Sequence, residues 1–140
     1  MYADTTLSNH RHPDPDRLLS PDCSQVSREV FNSAAVYRRE QRQVFERSWL
    51  YLAHESQLRQ PGDFVSAYMG EVPVIVAMGS DGKIAASVNS CPHRGLRVCR
   101  ADQGNALRFV CPYHTWTFKP TGELVGIPQA RTLGQTIGKE

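Results

Sequence analysis

The sequence predicts a mainly β protein, an antiparallel β-sandwich with an N-terminal helical leader. Three observations predict it. After Pro61-Gly62 the chain becomes a series of short runs rich in β-branched and aromatic residues, each closed by turn residues. Before that turn, residues 33–50 contain neither glycine nor proline and carry apolar side chains at near-helical spacing. At 140 residues the chain is long enough for one core, burying about two-thirds of its unfolded surface, and too short for a second domain of ordinary size.

Residues 1–28 are rich in Pro, Asp, Ser, His and Arg without apolar periodicity and read as a mobile or loosely docked arm. His10 and His12 lie there, an H-x-H pair in a polar tail that is expected to be solvated. Residues 29–60 form the helical leader and linker. Asn32 or Ser33 can cap the helix, and Val36, Tyr37, Val44, Phe45 and Trp49 approximate one face, interrupted by Gln41. His54 has no companion at ligand spacing and reads as a surface or hydrogen-bonded histidine. In the main domain, 61–128, strands are expected over 63–69, 72–78, 83–89, 107–111, 116–119 and 123–127. Gly70-Glu71, Ser80-Asp81-Gly82 and Pro120-Thr121-Gly122 supply the turns. Residues 129–140 are a short polar tail.

Sixteen basic residues against fourteen acidic ones give no argument for nucleic acid or an anionic membrane as partner. The N-terminus has no apolar signal core, and apolar runs such as Val74-Ile75-Val76-Ala77-Met78 are too short to span a bilayer. A soluble, cytoplasmic protein is expected. In that reducing compartment the four cysteines are better used as thiols than as two disulfides. Cys23 and Cys99 read as free thiols.

The chemistry is concentrated between Cys91 and His114. Cys91-x-His93 and Cys111-x-x-His114 are separated by seventeen residues. Structural zinc sites pair cysteine with cysteine and histidine with histidine, which this order does not. One cysteine and one histidine per loop fits a Rieske [2Fe-2S] centre, whose two irons take two thiolates and two imidazoles respectively. Two ferric ions, two sulfides and two thiolates sum to zero charge, so the oxidised centre accepts an electron more readily than one with four thiolates. Such centres therefore sit at roughly −150 to +300 mV, against about −400 mV for plant-type ferredoxins. Pro92 and Pro112 fix φ directly after each cysteine, and Gly95 permits a backbone conformation close to the cluster. Tyr113 is either a tuning hydroxyl or a core aromatic. Trp116 reads as packing support for the His114 loop. Arg94, Arg97, Arg100 and Arg108 lie between the ligand pairs and could form a positive collar for an acidic partner.

The run CPHRGLRVCRADQGNALRFVCPYHTWTF closely resembles the Rieske segment of aromatic ring-hydroxylating dioxygenase large (alpha) subunits of the biphenyl, toluene and naphthalene dioxygenase type. That family typically reads C-x-H-R-G, a Gly-Asn pair, then C-x-Y-H-G-W. Here those elements are His93-Arg94-Gly95, Gly104-Asn105 and Tyr113-His114-Thr115-Trp116, and the resemblance covers about residues 30–128. Thr115 departs from the family's glycine, and a β-branched residue fits poorly where φ must be positive.

The resemblance implies a Rieske-type sandwich holding its cluster on Cys91, His93, Cys111 and His114. It implies electrons arriving from a ferredoxin or reductase and passing to a mononuclear non-haem Fe(II). In the family two histidines and a carboxylate hold that iron in a separate catalytic domain, of the same or a neighbouring subunit, within trimers that often include small subunits. No such triad is visible in these 140 residues, where only His10, His12 and His54 remain and no catalytic residue can be named. The chain therefore reads as the electron-transfer part of an oxygenase used in aromatic hydrocarbon catabolism, as a gene fragment or truncated product. The alternative is a free-standing Rieske-type ferredoxin. Helix 33–50 favours the former, because small Rieske ferredoxins generally lack it, and the absent catalytic domain favours the latter. A structural zinc module is opposed by the ligand order.

Overall fold

A computed structural model describes residues 15–128, and the chain divides into two compact units between Trp49 and Leu50. His10, His12 and the tail from 129 onward lie outside the described residues.

In the first unit a single turn, α1 (Pro15–Leu18), leads to a small loop closed by pairing of Leu19 with Val26. The second half of the expected arm thus carries local order. A second turn, α2 (Glu29–Asn32), precedes α3 (Ala34–Gln43). Ser33 caps α3: its backbone is extended and its hydroxyl accepts the Val36 N–H at 3.4 Å. The helix predicted to reach residue 50 ends at Gln43, and Phe45–Arg47 forms a 3-10 turn instead. Val36 is buried, whereas Tyr37, Val44, Phe45 and Trp49 are exposed. Helical stability comes chiefly from packing an apolar face, and the last two turns bury none.

The second unit holds two antiparallel sheets. β1 (Asp63–Met69), β2 (Val72–Met78), β3 (Ile84–Val88) and β4 (Gln103–Asn105) lie in the order β3-β2-β1-β4. β5 (Phe109–Val110), β6 (Thr117–Phe118) and β7 (Leu124–Gly126) form the other, in sequence order. The turns fall where expected. Gly79 and Lys83 close one hairpin through a 2.8 Å backbone bond, and Lys119 and Glu123 close another in the same way at 2.8 Å.

β4 was not expected, because Gln103-Gly104-Asn105 shows no alternation and none of it is buried. Its place is fixed by contacts distant in sequence. Gly104 lies on the Phe64 ring, where an added Cβ would come within 3.1 Å, and the Asn105 amide donates to Asp63 Oδ1 at 2.8 Å and to the Pro61 carbonyl at 3.1 Å.

Register assigns the faces. Phe64 pairs with Ala77, so both point inward; there they join Ile75, with Phe109 and Phe118 from the second sheet, and the three thiols of Cys91, Cys99 and Cys111. Phe64 and Phe109 meet edge to face at 5.2 Å. Burying each such ring contributes about 2–3 kcal/mol. The next register step places Val65, Val76 and Met78 on the opposite face, where Leu58, Leu52 and Ala53 pack on them. Residues 50–60, expected as linker, are therefore part of this unit. Met69, Val72, Ile84 and Val88 share that outer face and stay exposed. Among the described residues no helix is long and apolar enough to cross a membrane.

Candidate metal centre

Two loops at the tip of the sandwich repeat one another. In the first, after β3, the Cys91 N–H donates to the Leu96 carbonyl at 2.8 Å and the Gly95 N–H to the Cys91 carbonyl at 2.7 Å. In the second, after β5, the Cys111 N–H donates to the Trp116 carbonyl at 2.8 Å and the Thr115 N–H to the Cys111 carbonyl at 3.0 Å. Each is thus a six-residue ring beginning Cys-Pro. Histidine is the third member of the first ring and the fourth of the second.

The rings sort the donors by type. Cys91 and Cys111 are each 2 % exposed and lie together in the same buried cluster. His93 and His114 are exposed, with ring centroids 4.7 Å apart. Among the described residues no three His, Cys, Asp or Glu side chains gather closely enough for one ion. A sulfur pair beneath a nitrogen pair is instead the arrangement a two-iron core requires.

The surroundings act in opposite directions on the two sulfurs. Burial pushes the Cys91 thiol up, against the opposing effect of the His93 and Arg94 N–H groups. At Cys111 burial acts in the same direction but is outweighed by the N–H groups of Tyr113 and His114 and by the Cys91 thiol, so that thiol titrates lower than usual. His114 is held below the ordinary imidazole range by desolvation, then by His93 and Arg94, which favours the neutral ring a metal needs.

Asn89 holds the first loop from below, a role the sequence did not reveal. It is 0 % exposed; its amide donates to the Cys99 carbonyl at 2.7 Å and its oxygen accepts the N–H groups of Val98 and Cys99 at 3.1 and 2.8 Å. A polar residue ending a β run, two positions before Cys91, is the only sequence signal for it.

Other expected roles change. Trp116 packs its own loop on the core, as expected, and also stacks on His93 of the opposite loop, at 5.1 Å and 7°. Tyr113 is half exposed, so it is not a core aromatic; it tilts over His114 at 3.8 Å and its hydroxyl accepts from Arg94 at 3.4 Å. The arginine collar is partly structural. Arg97 donates to the Cys99 carbonyl and the Tyr68 hydroxyl, both at 3.1 Å, and Arg108 to the Leu107 carbonyl at 2.7 Å, while Arg100 is exposed. His54 caps the short turn Glu55–Gln57 by accepting the Ser56 N–H at 3.2 Å. Cys23 and Cys99 are free thiols, exposed and buried respectively.

The family model for the Rieske [2Fe-2S] domain matches residues 48–136. This chain belongs to that family. Its Rieske region is 43 % identical over 113 residues to benzene 1,2-dioxygenase subunit alpha of Pseudomonas putida strain F1, covering 81 % of this chain and 25 % of that subunit. It is 48 % identical over 111 residues to chlorobenzene dioxygenase subunit alpha of Cupriavidus sp. strain PS12, covering 79 % and 25 %. Naphthalene 1,2-dioxygenase from Rhodococcus sp., solved with indole bound, superposes with a TM-score of 0.74 at 39 % identity, over 82 % of this chain and 26 % of that one. The chain thus spans about a quarter of the length of the curated relatives it matches. The sandwich is a Rieske fold, and the cofactor of a Rieske domain is a [2Fe-2S] cluster, which the paired thiols and imidazoles suit.

Proposed function

We propose that this chain is the electron-relay part of an aromatic ring-hydroxylating dioxygenase large subunit, with Cys91 and Cys111 on one iron and His93 and His114 on the other. The observation that carries it is the segregation of buried sulfurs from exposed imidazoles by two matching loops. A bound cluster would supply a reversible one-electron couple. The chain's own groups set how that couple behaves. The N–H groups of His93, Arg94, Tyr113 and His114 face the sulfurs and stabilise negative charge there, which favours the reduced state. Burial of both cysteines keeps water from the sulfur side, and the exposed imidazoles offer the short path to a partner.

On this reading a ferredoxin or reductase donates the electron, and a mononuclear non-haem Fe(II) in a catalytic domain, of this or a neighbouring subunit, receives it. The names of the relatives support a one- or two-ring arene as the final substrate of the whole assembly. The exposed apolar outer face of β1–β3 supports burial against the rest of such an assembly, since uncovered apolar patches mark interaction surfaces. Free Cys23 and Cys99 fit a reducing cytoplasm.

The test is anaerobic reconstitution of the chain with iron and sulfide. A visible chromophore that bleaches on reduction, with an EPR signal from the reduced state that is lost in Cys91→Ala and His93→Ala, is the expected result. Zinc bound alone in anaerobically prepared protein would refute it.

A further inference from the structure

The aromatic rings at the tip do not respect loop membership. Trp116 belongs to the second loop, yet its indole lies flat on the imidazole of His93 in the first, 7° from parallel. Trp116 is half-buried and packs against the cluster containing Cys91, Phe109 and Cys111, whereas His93 is exposed. The final torsion of a histidine is broad, so an exposed imidazole is poorly oriented unless something stacks on it. His114 has a different neighbour: Tyr113 tilts 36° over it and is held from the first loop by the exposed Arg94. One histidine is thus braced from the core and the other from the surface.

We propose that Trp116 is a positioning residue for His93: its core-anchored indole fixes the plane of that imidazole, and with it the direction in which the ligating nitrogen points. This role presupposes that His93 is an iron ligand, as above. It also predicts an asymmetry, because changes at Trp116 act on one histidine and spare the other.

Two measurements on the full chain separate the possibilities. In iron-free protein, stacking displaces the NMR signals of the His93 ring protons upfield, and Trp116→Leu abolishes that displacement while keeping side-chain bulk. In reconstituted, reduced protein, pulsed EPR resolves the nitrogen couplings of two imidazoles. Trp116→Leu and Trp116→Ala are expected to broaden or shift one set only. They should also move the reduction potential upward, because water reaching His93 stabilises the more negative reduced cluster. Trp116→Phe should restore both readouts towards the unaltered protein. Both coupling sets and the potential unchanged in the Leu and Ala variants would overturn the role of Trp116 while leaving the cluster assignment intact. No upfield displacement in the unaltered iron-free chain would overturn it as well, even for variants that assemble no cluster. A displacement present in iron-free protein that never forms a cluster would instead refute His93 as a ligand.

Discussion

Thr115, with φ of +54°, occupies the position in the second Cys-Pro loop that Gly95, with φ of +71°, occupies in the first. The ring closed between Cys111 and Trp116 requires the left-handed conformation there, and a β-branched residue adopts it at a cost of about 1–2 kcal/mol. Thr115→Gly should therefore stabilise the chain by about 1 kcal/mol after the added entropy of the unfolded glycine is offset, raising Tm by roughly 4–8 °C. The reverse change, Gly95→Ala, should destabilise by about 1 kcal/mol through backbone strain alone, because the nearest atom to an added Cβ is Ser90 Oγ at 3.9 Å. Thermal melts of the two variants check both signs.

Asn89 makes three hydrogen bonds from a fully buried side chain. Asn89→Ala leaves the N–H groups of Val98 and Cys99 without partners, at about 1–3 kcal/mol each when unsatisfied, while the Cys99 carbonyl keeps its bond from Arg97. A loss of about 3 kcal/mol is expected in urea unfolding, with impaired cluster retention because the base of the first loop loosens. Wild-type stability in that variant would show that the loop is held from elsewhere.

What the sequence revealed follows from where the determining interactions lie. The Gly70-Glu71, Ser80-Asp81-Gly82 and Pro120-Thr121-Gly122 turns separate β-branched runs, so hairpins could be read locally. The Cys-x-His and Cys-x-x-His spacings likewise marked the loops that the fold brings together. β4 could not be read, since Gly104 is held by Phe64 and Asn105 by Asp63, forty residues away in sequence. The partners of Trp116 and Tyr113 were hidden for the same reason: stacking across two loops leaves no periodicity. The early end of α3 was hidden because helical spacing at Val44, Phe45 and Trp49 says nothing of whether that face is buried.

His114 gives the iron-free protein a pH dependence. Desolvation, His93 and Arg94 hold its folded-state value below the ordinary imidazole value of about 6.5. The unfolded chain therefore binds more protons between the two values, and stability rises with pH through that window. The contribution is fully present above about pH 6.5 and is lost as pH falls through the depressed folded value. Tm of iron-free protein should thus rise with pH from the depressed folded-state value up to about pH 6.5, and His114→Gln should flatten that rise. Asp63, lowered by its hydrogen bond from Asn105, titrates in a more acidic range and does not blur the result.

Replacing an imidazole by a thiolate tests the charge argument directly. On the proposed ligand set of two neutral rings and two thiolates the oxidised cluster would be neutral; His93→Cys would add one negative charge beside it and disfavour a further electron. Half of the interval between Rieske and four-cysteine centres is about 125–350 mV, so a fall of that size is expected if the variant assembles. His114→Cys should shift the potential in the same direction. A fall for both variants, read by redox titration of the visible bands, would place both histidines on iron. A fall for one and none for the other would remove the second from the ligand set, and with it the assignment of one imidazole per loop. Cys99 supplies the control: it is buried in the same core, but its sulfur faces the Ala101 carbonyl at 3.7 Å, so Cys99→Ala should leave the potential unchanged while lowering stability by about 1 kcal/mol.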